Sequence, residues 1–130
     1  MATASPAVGF QPVRDMGPSV QNSGTATTPA ANAALASVTI PSAGKWEFTC
    51  YAWLTAGTPG SADTNNVQLR QNSVSQGNLP QVGALNQAVL PPFVALLTCA
   101  SGDTVSLNAV ALSNGTTVGY AATLMGRQVG

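Results

Sequence analysis

The chain has 130 residues and carries four lysine or arginine and four aspartate or glutamate residues, for a net charge of zero, with no histidine. Charged residues make up 6% of it, whereas an average soluble domain holds about a quarter. Acid–base catalysis near neutral pH needs histidine or carboxylates in contrasting environments, and binding to nucleic acid or an anionic membrane needs clustered lysine and arginine. The composition therefore argues against an enzyme, a nucleic-acid-binding protein and a membrane-bound protein.

The scarcity of charge also bears on the oligomeric state. A monomer of this length exposes roughly 6,300 Å², which leaves about 800 Å² for each charge. One partner contributes about the same area, 800 Å², to a standard protein–protein interface. A domain with few charges and no net charge tends to associate with itself. We therefore expect much of the surface to be covered by other copies of the chain or by a larger assembly.

Residues 1–35 are predicted to form an extended N-terminal arm. They are rich in alanine, threonine, proline and asparagine and hold few large apolar side chains. Strand-like stretches at 9–13 and 18–21 contain apolar side chains that the arm could bury, so it could contribute a first strand. Two interpretations stay open: a loose terminus, or an arm that orders against the body or a neighbouring subunit. No secretory signal is visible, so synthesis in a cytoplasm is expected.

The predicted body spans residues 36–130, and its strongest strand signal runs from Lys45 to Thr55, after a turn at 41–44. Side chains alternate along this strand, as they do where one face of a sheet is buried. Tyr51 and Trp53 fall on the face opposite the core, which indicates either a partner or a covering segment of the same chain. The predicted core face consists of Trp46, Phe48, Cys50, Ala52 and Leu54.

The rest of the body also has the pattern of short strands separated by turns. Cys50 and Cys99 lie in apolar strands, and two reduced core cysteines are preferred over a disulfide. Turns recurring about every eight to twelve residues predict an all-β sandwich or barrel. Strands are predicted at 66–71, weakly within 73–87, and at 93–99, 104–109 and 117–127, with turns at 58–63, 72–73, 100–103 and 113–116.

Four segments, in order, resemble the tumour-necrosis-factor-like family, which includes the globular heads of the first complement component. Residues 40–48 (IPSAGKWEF) look like its entry strand, and residues 67–72 (VQLRQN) like its leucine–basic–asparagine strand and turn. Residues 97–107 (LTCASGDTVSL) are similar to its Gly-Asp-x-Val-x-Leu hairpin, and residues 120–126 (YAATLMG) to its closing strand, which is more aromatic in the family. The resemblance implies an antiparallel jelly-roll β-sandwich that forms a homotrimer.

The sequence also departs from the secreted members of that family. It shows no collagen-like stalk, no signal peptide and no cluster of calcium-binding carboxylates. A short, charge-poor chain of this kind is similar instead to the trimeric decoration proteins on the heads of tailed bacteriophages. The implied function is structural: a homotrimer that binds the major capsid protein on the outer surface of a phage head and stabilises the virion. The alternative is a trimeric receptor- or glycan-binding head, of a tail fibre or of an extracellular complement-head-like protein.

Few residues are candidates for chemistry. Asp103 follows a glycine at a turn, so its carboxylate is expected to accept backbone N–H bonds rather than to bind a metal. Glu47 and Lys45 lie two residues apart on one strand face, and an ion pair between them, exposed or at a subunit interface, is expected. No catalytic, cofactor-binding or metal-binding residue is predicted. The predicted contacts between subunits or with a partner are Phe10, Val13, Arg14, Tyr51, Trp53 and Arg127.

Overall fold

The computed structural model describes residues 17–27, 33–56, 67–79, 92–109 and 119–130. All of the regular structure in these ranges is β-strand, which confirms the predicted all-β class. β-branched and aromatic residues recur in the strands, and such residues suit a pleated, half-buried surface. The strands are β1 (Ser19–Thr27), β2 (Ala34–Thr39), β3 (Gly44–Ala56), β4 (Val67–Gln71), β5 (Val74–Asn78), β6 (Phe93–Cys99), β7 (Thr104–Ala109) and β8 (Gly119–Gln128).

The strands form two antiparallel sheets. The first sheet has the order β1-β8-β3-β6 and the second has the order β2-β7-β4-β5. β1 pairs with β8, β2 with β7, β3 with β6 and β4 with β5. The first half of the chain is therefore paired with the second half in reverse order, like one long hairpin divided between two sheets. The predicted packing of two antiparallel sheets is confirmed.

The hydrophobic core lies between the sheets and is built around β3. The five residues predicted to form its core face are all fully buried, and Trp46 stacks near Phe48 with ring centroids 6.4 Å apart. The Trp46 indole N–H donates to the Ser42 carbonyl at 3.0 Å, which satisfies the one polar atom of that ring. The largest fully buried side chains from other strands are Leu69, Leu107, Tyr120, Leu124, Val67 and Val105.

Both cysteines are buried and free, so the preference for reduced core cysteines is confirmed. Cys50 lies opposite Phe93, whereas Cys99 lies opposite Gly44, so the two thiols sit at opposite ends of the β3–β6 pair. Burial raises the pKa of Cys50 to about 12. Burial, followed by the nearby negative charge of Asp103, raises the pKa of Cys99. Both thiols are therefore expected to react slowly, because the thiolate is the reactive form.

β1 lies within the range predicted as an arm and is longer than the short strand expected there. It pairs with β8 at all nine of its positions and so forms one edge of the first sheet. This edge contacts β2 of the second sheet. At this seam Gly24 lies directly against the Leu35 carbonyl oxygen, where a Cβ would overlap it. The Ser37 backbone N–H also donates to the Asn22 side-chain oxygen at 3.1 Å. Residues 19–27 are thus an integral part of the sandwich.

Candidate assembly surface

The outer face of the first sheet is apolar on three neighbouring strands. Tyr51 and Trp53 project from β3, and both are half-buried. Val94 and Leu96 project from the edge strand β6, with exposed fractions of 54% and 60%. Met125 of β8 is half-buried beside them. Exposed apolar side chains on adjacent strands are typical of a protein–protein contact surface.

One ion pair lies within this face. The Arg127 guanidinium donates to Glu47 Oε1, with Nη2 at 3.0 Å and Nε at 3.1 Å, and both side chains are partly exposed. The predicted pairing of Glu47 with Lys45 is wrong, because β8 places Arg127 directly opposite Glu47. A shallow groove of about 280 Å³ is lined by both members of the pair together with Ser19, Gln21, Thr49 and Met125.

The outer face of the second sheet has a different chemistry. Ser106 and Asn108 on β7 are buried on this side and hydrogen-bond to each other at 2.5 Å. Arg70 Nε donates to Gln68 Oε1 at 3.0 Å on the adjacent strand β4. Hydroxyl and amide groups thus dominate this face. Arg70 is the charged residue that its two central strands, β7 and β4, contribute. The two outer faces therefore differ: the first combines the exposed Val94 and Leu96 with the Glu47–Arg127 ion pair, whereas Ser106 and Asn108 at the centre of the second are buried.

Asp103 links the turns at one end of the two sheets. Its carboxylate accepts the Ala100 backbone N–H at 2.8 Å, which confirms the expected turn contact. The side-chain amides of Gln71 and Asn72 also donate to it, at 3.0 and 2.9 Å. Gln71 Nε2 reaches the Thr98 carbonyl as well, at 2.9 Å. The cluster therefore joins the end of β4 to the turn between β6 and β7, which is a structural role.

The Asp103 cluster predicts a defined pH dependence of stability. Hydrogen bonds from Asn72, then from the Ala100 N–H and then from Gln71 lower the pKa of Asp103. A lowered pKa in the folded state stabilises the protein above the unfolded-state pKa of about 3.9, and this contribution is lost as the pH falls through the folded-state value. We expect Asp103→Asn to lower the melting temperature at pH 7, with the difference from wild type shrinking below about pH 4.

Thermal unfolding across this pH range checks the prediction. Ser101→Ala is the matched control, because the Ser101 hydroxyl donates to the Pro41 carbonyl at 3.2 Å in the same turn but does not titrate in this range. Its effect should not change between pH 3 and pH 7. A difference for Asp103→Asn that is equally large at both pH values would contradict the role assigned to the carboxylate.

The structure places three of the predicted contact residues on one surface. Tyr51, Trp53 and Arg127 share the outer face of the first sheet, whereas Phe10, Val13 and Arg14 lie outside the described residues. Sequence reasoning missed Val94 and Leu96. Their signal was the apolar run at 93–97, which by itself does not show which side chains face outward.

No protein-family model matches the chain, and neither does any curated protein sequence. Nowhere in the described ranges do three histidine, cysteine, aspartate or glutamate side chains converge as a metal ion would require. None of the described residues belongs to a helix long and apolar enough to cross a membrane.

Proposed function

We propose that the protein is a structural component of a virion: a homotrimer that decorates the outer surface of a phage head, binds the major capsid protein and stabilises the shell. The observation that carries the proposal is the contrast between the two outer faces. One face presents the half-buried Tyr51 and Trp53 beside the exposed Val94 and Leu96, while the hydroxyl and amide groups of Ser106 and Asn108 on the other face are buried. No catalytic step, cofactor or metal forms part of the proposal.

The strand order supports a jelly roll, the more specific fold on which the proposed function depends. A jelly roll has eight strands in two sheets, arranged as two Greek keys. The pairing of β1 with β8, β2 with β7, β3 with β6 and β4 with β5 agrees with such an arrangement. The resemblance to the tumour-necrosis-factor-like family adds the expectation of a three-fold assembly. A fold alone does not specify a function, so the two outer faces carry the proposal.

The outer face of the first sheet is somewhat smaller than one side of a standard interface. Its β1–β8 ladder has nine residue pairs, which gives a length of about 30 Å, and four strands give a width of about 19 Å. The projected area is thus about 570 Å², before side-chain relief and the sheet edges are counted. A standard interface takes about 800 Å² of accessible surface from each partner. This face could therefore hold most of one interface between copies.

In the proposed mechanism, several contacts that each bury a modest area together hold the assembly. Copies pack through the end of the first sheet that carries Tyr51 and Trp53, because aromatic side chains bury a large area and are enriched at interface cores. Arg127 lies towards the other end of the face, paired with Glu47. In the assembled particle the N-terminal arms, with Phe10, Val13 and Arg14, reach neighbouring shell subunits. Three linked sites on one trimer then bind a repetitive shell more tightly than one site could.

Quantifying and locating the protein in purified particles tests the proposal. A decoration protein should be present in many copies, spread over the head and removed with it when head and tail are separated. The alternative role, a receptor- or glycan-binding head of a tail fibre, predicts a few copies at the tail. Particles stripped of the protein should also lose their DNA at a lower temperature. A location at the tail, or unchanged heat resistance after stripping, would contradict decoration.

A further inference from the structure

Among the edges of the two described sheets, β6 lacks the features that usually prevent a strand from pairing. Natural edge strands carry charge, proline or a bulge, or are covered by another segment. At one side of the sandwich, β1 and β2 lie against each other. At the other side, β5 has a polar sequence (VSQGN) and a register shift in its pairing with β4. β6 (FVALLTC) has no charged residue and no proline, and it pairs with β3 without a shift.

The hydrogen bonds of Lys45 show which backbone groups of β6 face its free side. The N–H and the carbonyl of Lys45 both bond to the residues that follow β8, at 2.9 and 2.8 Å. Lys45 therefore makes no backbone hydrogen bond with Thr98, the residue opposite it on β6. In an antiparallel ladder such a pair alternates with hydrogen-bonded pairs. The backbone groups of Thr98, Leu96 and Val94 thus point away from β3.

The same three residues carry the exposed side chains of β6. Val94 is 54% exposed, Leu96 is 60% exposed, and Thr98 is exposed as well. One backbone acceptor at this edge is already used, because the Thr98 carbonyl accepts the side-chain amide of Gln71 at 2.9 Å. Pro92 precedes the strand in the same alternation and has a carbonyl but no N–H. An added strand must match this set of donors and acceptors.

A second copy of β6 matches the set when it runs antiparallel about a two-fold axis at Ala95. Val94 of each copy then lies opposite Leu96 of the other, and each such pair can exchange both of its backbone hydrogen bonds. The Thr98 N–H meets the Pro92 carbonyl of the other copy. The Thr98 carbonyl meets no N–H there and needs none, because it is already bonded within its own chain.

The side chains also favour a second copy as the partner. Branched apolar residues directly opposite each other stabilise a strand pair, whereas like charges destabilise it. A two-fold axis brings each residue close to its own counterpart, and β6 has no charge that could repel itself. An axis at Leu96 fits less well, because it would direct the Val94 N–H at the Thr98 carbonyl that Gln71 already occupies.

We infer that β6 pairs with β6 of a second copy about a two-fold axis at Ala95, which joins two first sheets into one continuous sheet. This contact is separate from the one that builds the proposed trimer. β3 pairs with β6 only as far as Cys50, so Tyr51 and Trp53 lie beyond the end of β6. The pairing of two β6 strands does not depend on the proposed function.

The size of the contact indicates where it matters. The seven residues of β6 extend about 24 Å, and a depth of about 10 Å gives about 240 Å² for each copy. A standard interface takes about 800 Å² from each partner. The contact is therefore weak between free molecules and is strengthened where copies are held close together. On a shell it would link neighbouring trimers, a consequence that rests on the proposed function.

Disulfide trapping in concentrated free protein tests the pairing and its register. Val94→Cys and Leu96→Cys chains are mixed, oxidised mildly and separated by mass, since the two variants differ by one methylene group. Residues 94 and 96 of different copies should have Cα atoms about 5.5 Å apart, within the reach of a disulfide, about 4.4 to 6.8 Å. Two copies of residue 94, or two of residue 96, should be about 9 Å apart.

We expect the mixed dimer to form about tenfold faster than either symmetric dimer, which corresponds to about 1.4 kcal/mol. The native Cys50 and Cys99 are buried and contribute little. Val74→Cys is the matched control, because Val74 is 62% exposed on the other edge strand, β5. It should link to itself no faster than the symmetric dimers form. Symmetric dimers as abundant as the mixed one, or no excess of the mixed dimer over the control, would overturn the inference.

Repeating the experiment with Trp53→Ala in both chains separates this contact from the proposed trimer. The mixed dimer should form at the same rate, because Trp53 lies beyond the end of β6. Loss of the mixed dimer would mean that residues 94 and 96 meet only within the trimer, and this would overturn the inference. A mixed dimer that forms even though the wild-type protein is a monomer in dilute solution would support the inference and contradict only the trimer.

Discussion

Gly24→Ala is expected to destabilise the folded chain by about 3 kcal/mol, enough to lower its melting temperature by roughly 10 °C. A Cβ at this residue would overlap the backbone carbonyl oxygen of Leu35, where β1 crosses β2. Neither side can yield easily. β1 is held by β8 along its whole length, and β2 is held by β7. Relief would require the two sheets to separate at this seam. Equilibrium unfolding in denaturant measures the loss.

Gly130→Ala is the matched control for this substitution. A Cβ at Gly130 would lie 3.7 Å from Lys45 Cβ, which is an ordinary contact. The control should leave the free energy of unfolding within about 0.5 kcal/mol of wild type. If Gly24→Ala changed the free energy of unfolding as little as the control does, β1 and β2 could not approach each other as closely as they do in the structure.

Trp46→Ala should cost about 4 kcal/mol of unfolding free energy, the largest effect expected of a single substitution here. Trp46 is the largest of the fully buried side chains, and it stacks near Phe48. Its removal leaves a cavity between the sheets and takes the N–H donor from the Ser42 carbonyl. Both losses act in the same direction. Denaturant unfolding followed by circular dichroism checks the magnitude.

Trp53→Ala is the control on the same strand, with the same change in side-chain volume. Trp53 projects from the opposite face of β3 and is only half-buried. The substitution should cost each subunit less than half as much stability as Trp46→Ala, and it should reduce the measured mass from trimer towards monomer. A small loss of stability with Trp46→Ala, together with unfolding by Trp53→Ala, would contradict the assignment of core and outer face. A stable trimer after Trp53→Ala would contradict the assembly surface.

The two faces of β3 could be predicted because the signal is local. Strict alternation from Trp46 to Leu54 separates one apolar face from a mixed one, and burial follows this pattern. The turn carboxylate Asp103 was predictable for the same reason, since the Ala100 N–H is only three residues away. Its contacts with Gln71 and Asn72 were not, because they depend on how β4 meets the turn between β6 and β7.

Features that depend on strand register could not be predicted. Glu47 pairs with Arg127, eighty residues later, because β8 places them directly opposite each other. Directly opposed residues in an antiparallel pair have Cβ atoms about 5 Å apart, which is closer than same-face neighbours along one strand, such as Lys45 and Glu47. β1 was predicted only in part, because its residues are small and polar and the ladder with β8 holds it in place. The exposure of Leu96 likewise depends on β6 being an edge strand.

We propose that a chain with so few charges is covered by its own copies through the outer face of the first sheet. Native mass spectrometry, supported by light scattering at micromolar protein concentration, tests this claim most directly. We expect a species with three times the mass of the chain, reduced towards one chain by Trp53→Ala. A wild-type protein that stays a single chain under these conditions, with Tyr51 and Trp53 accessible to solvent quenchers, would contradict it.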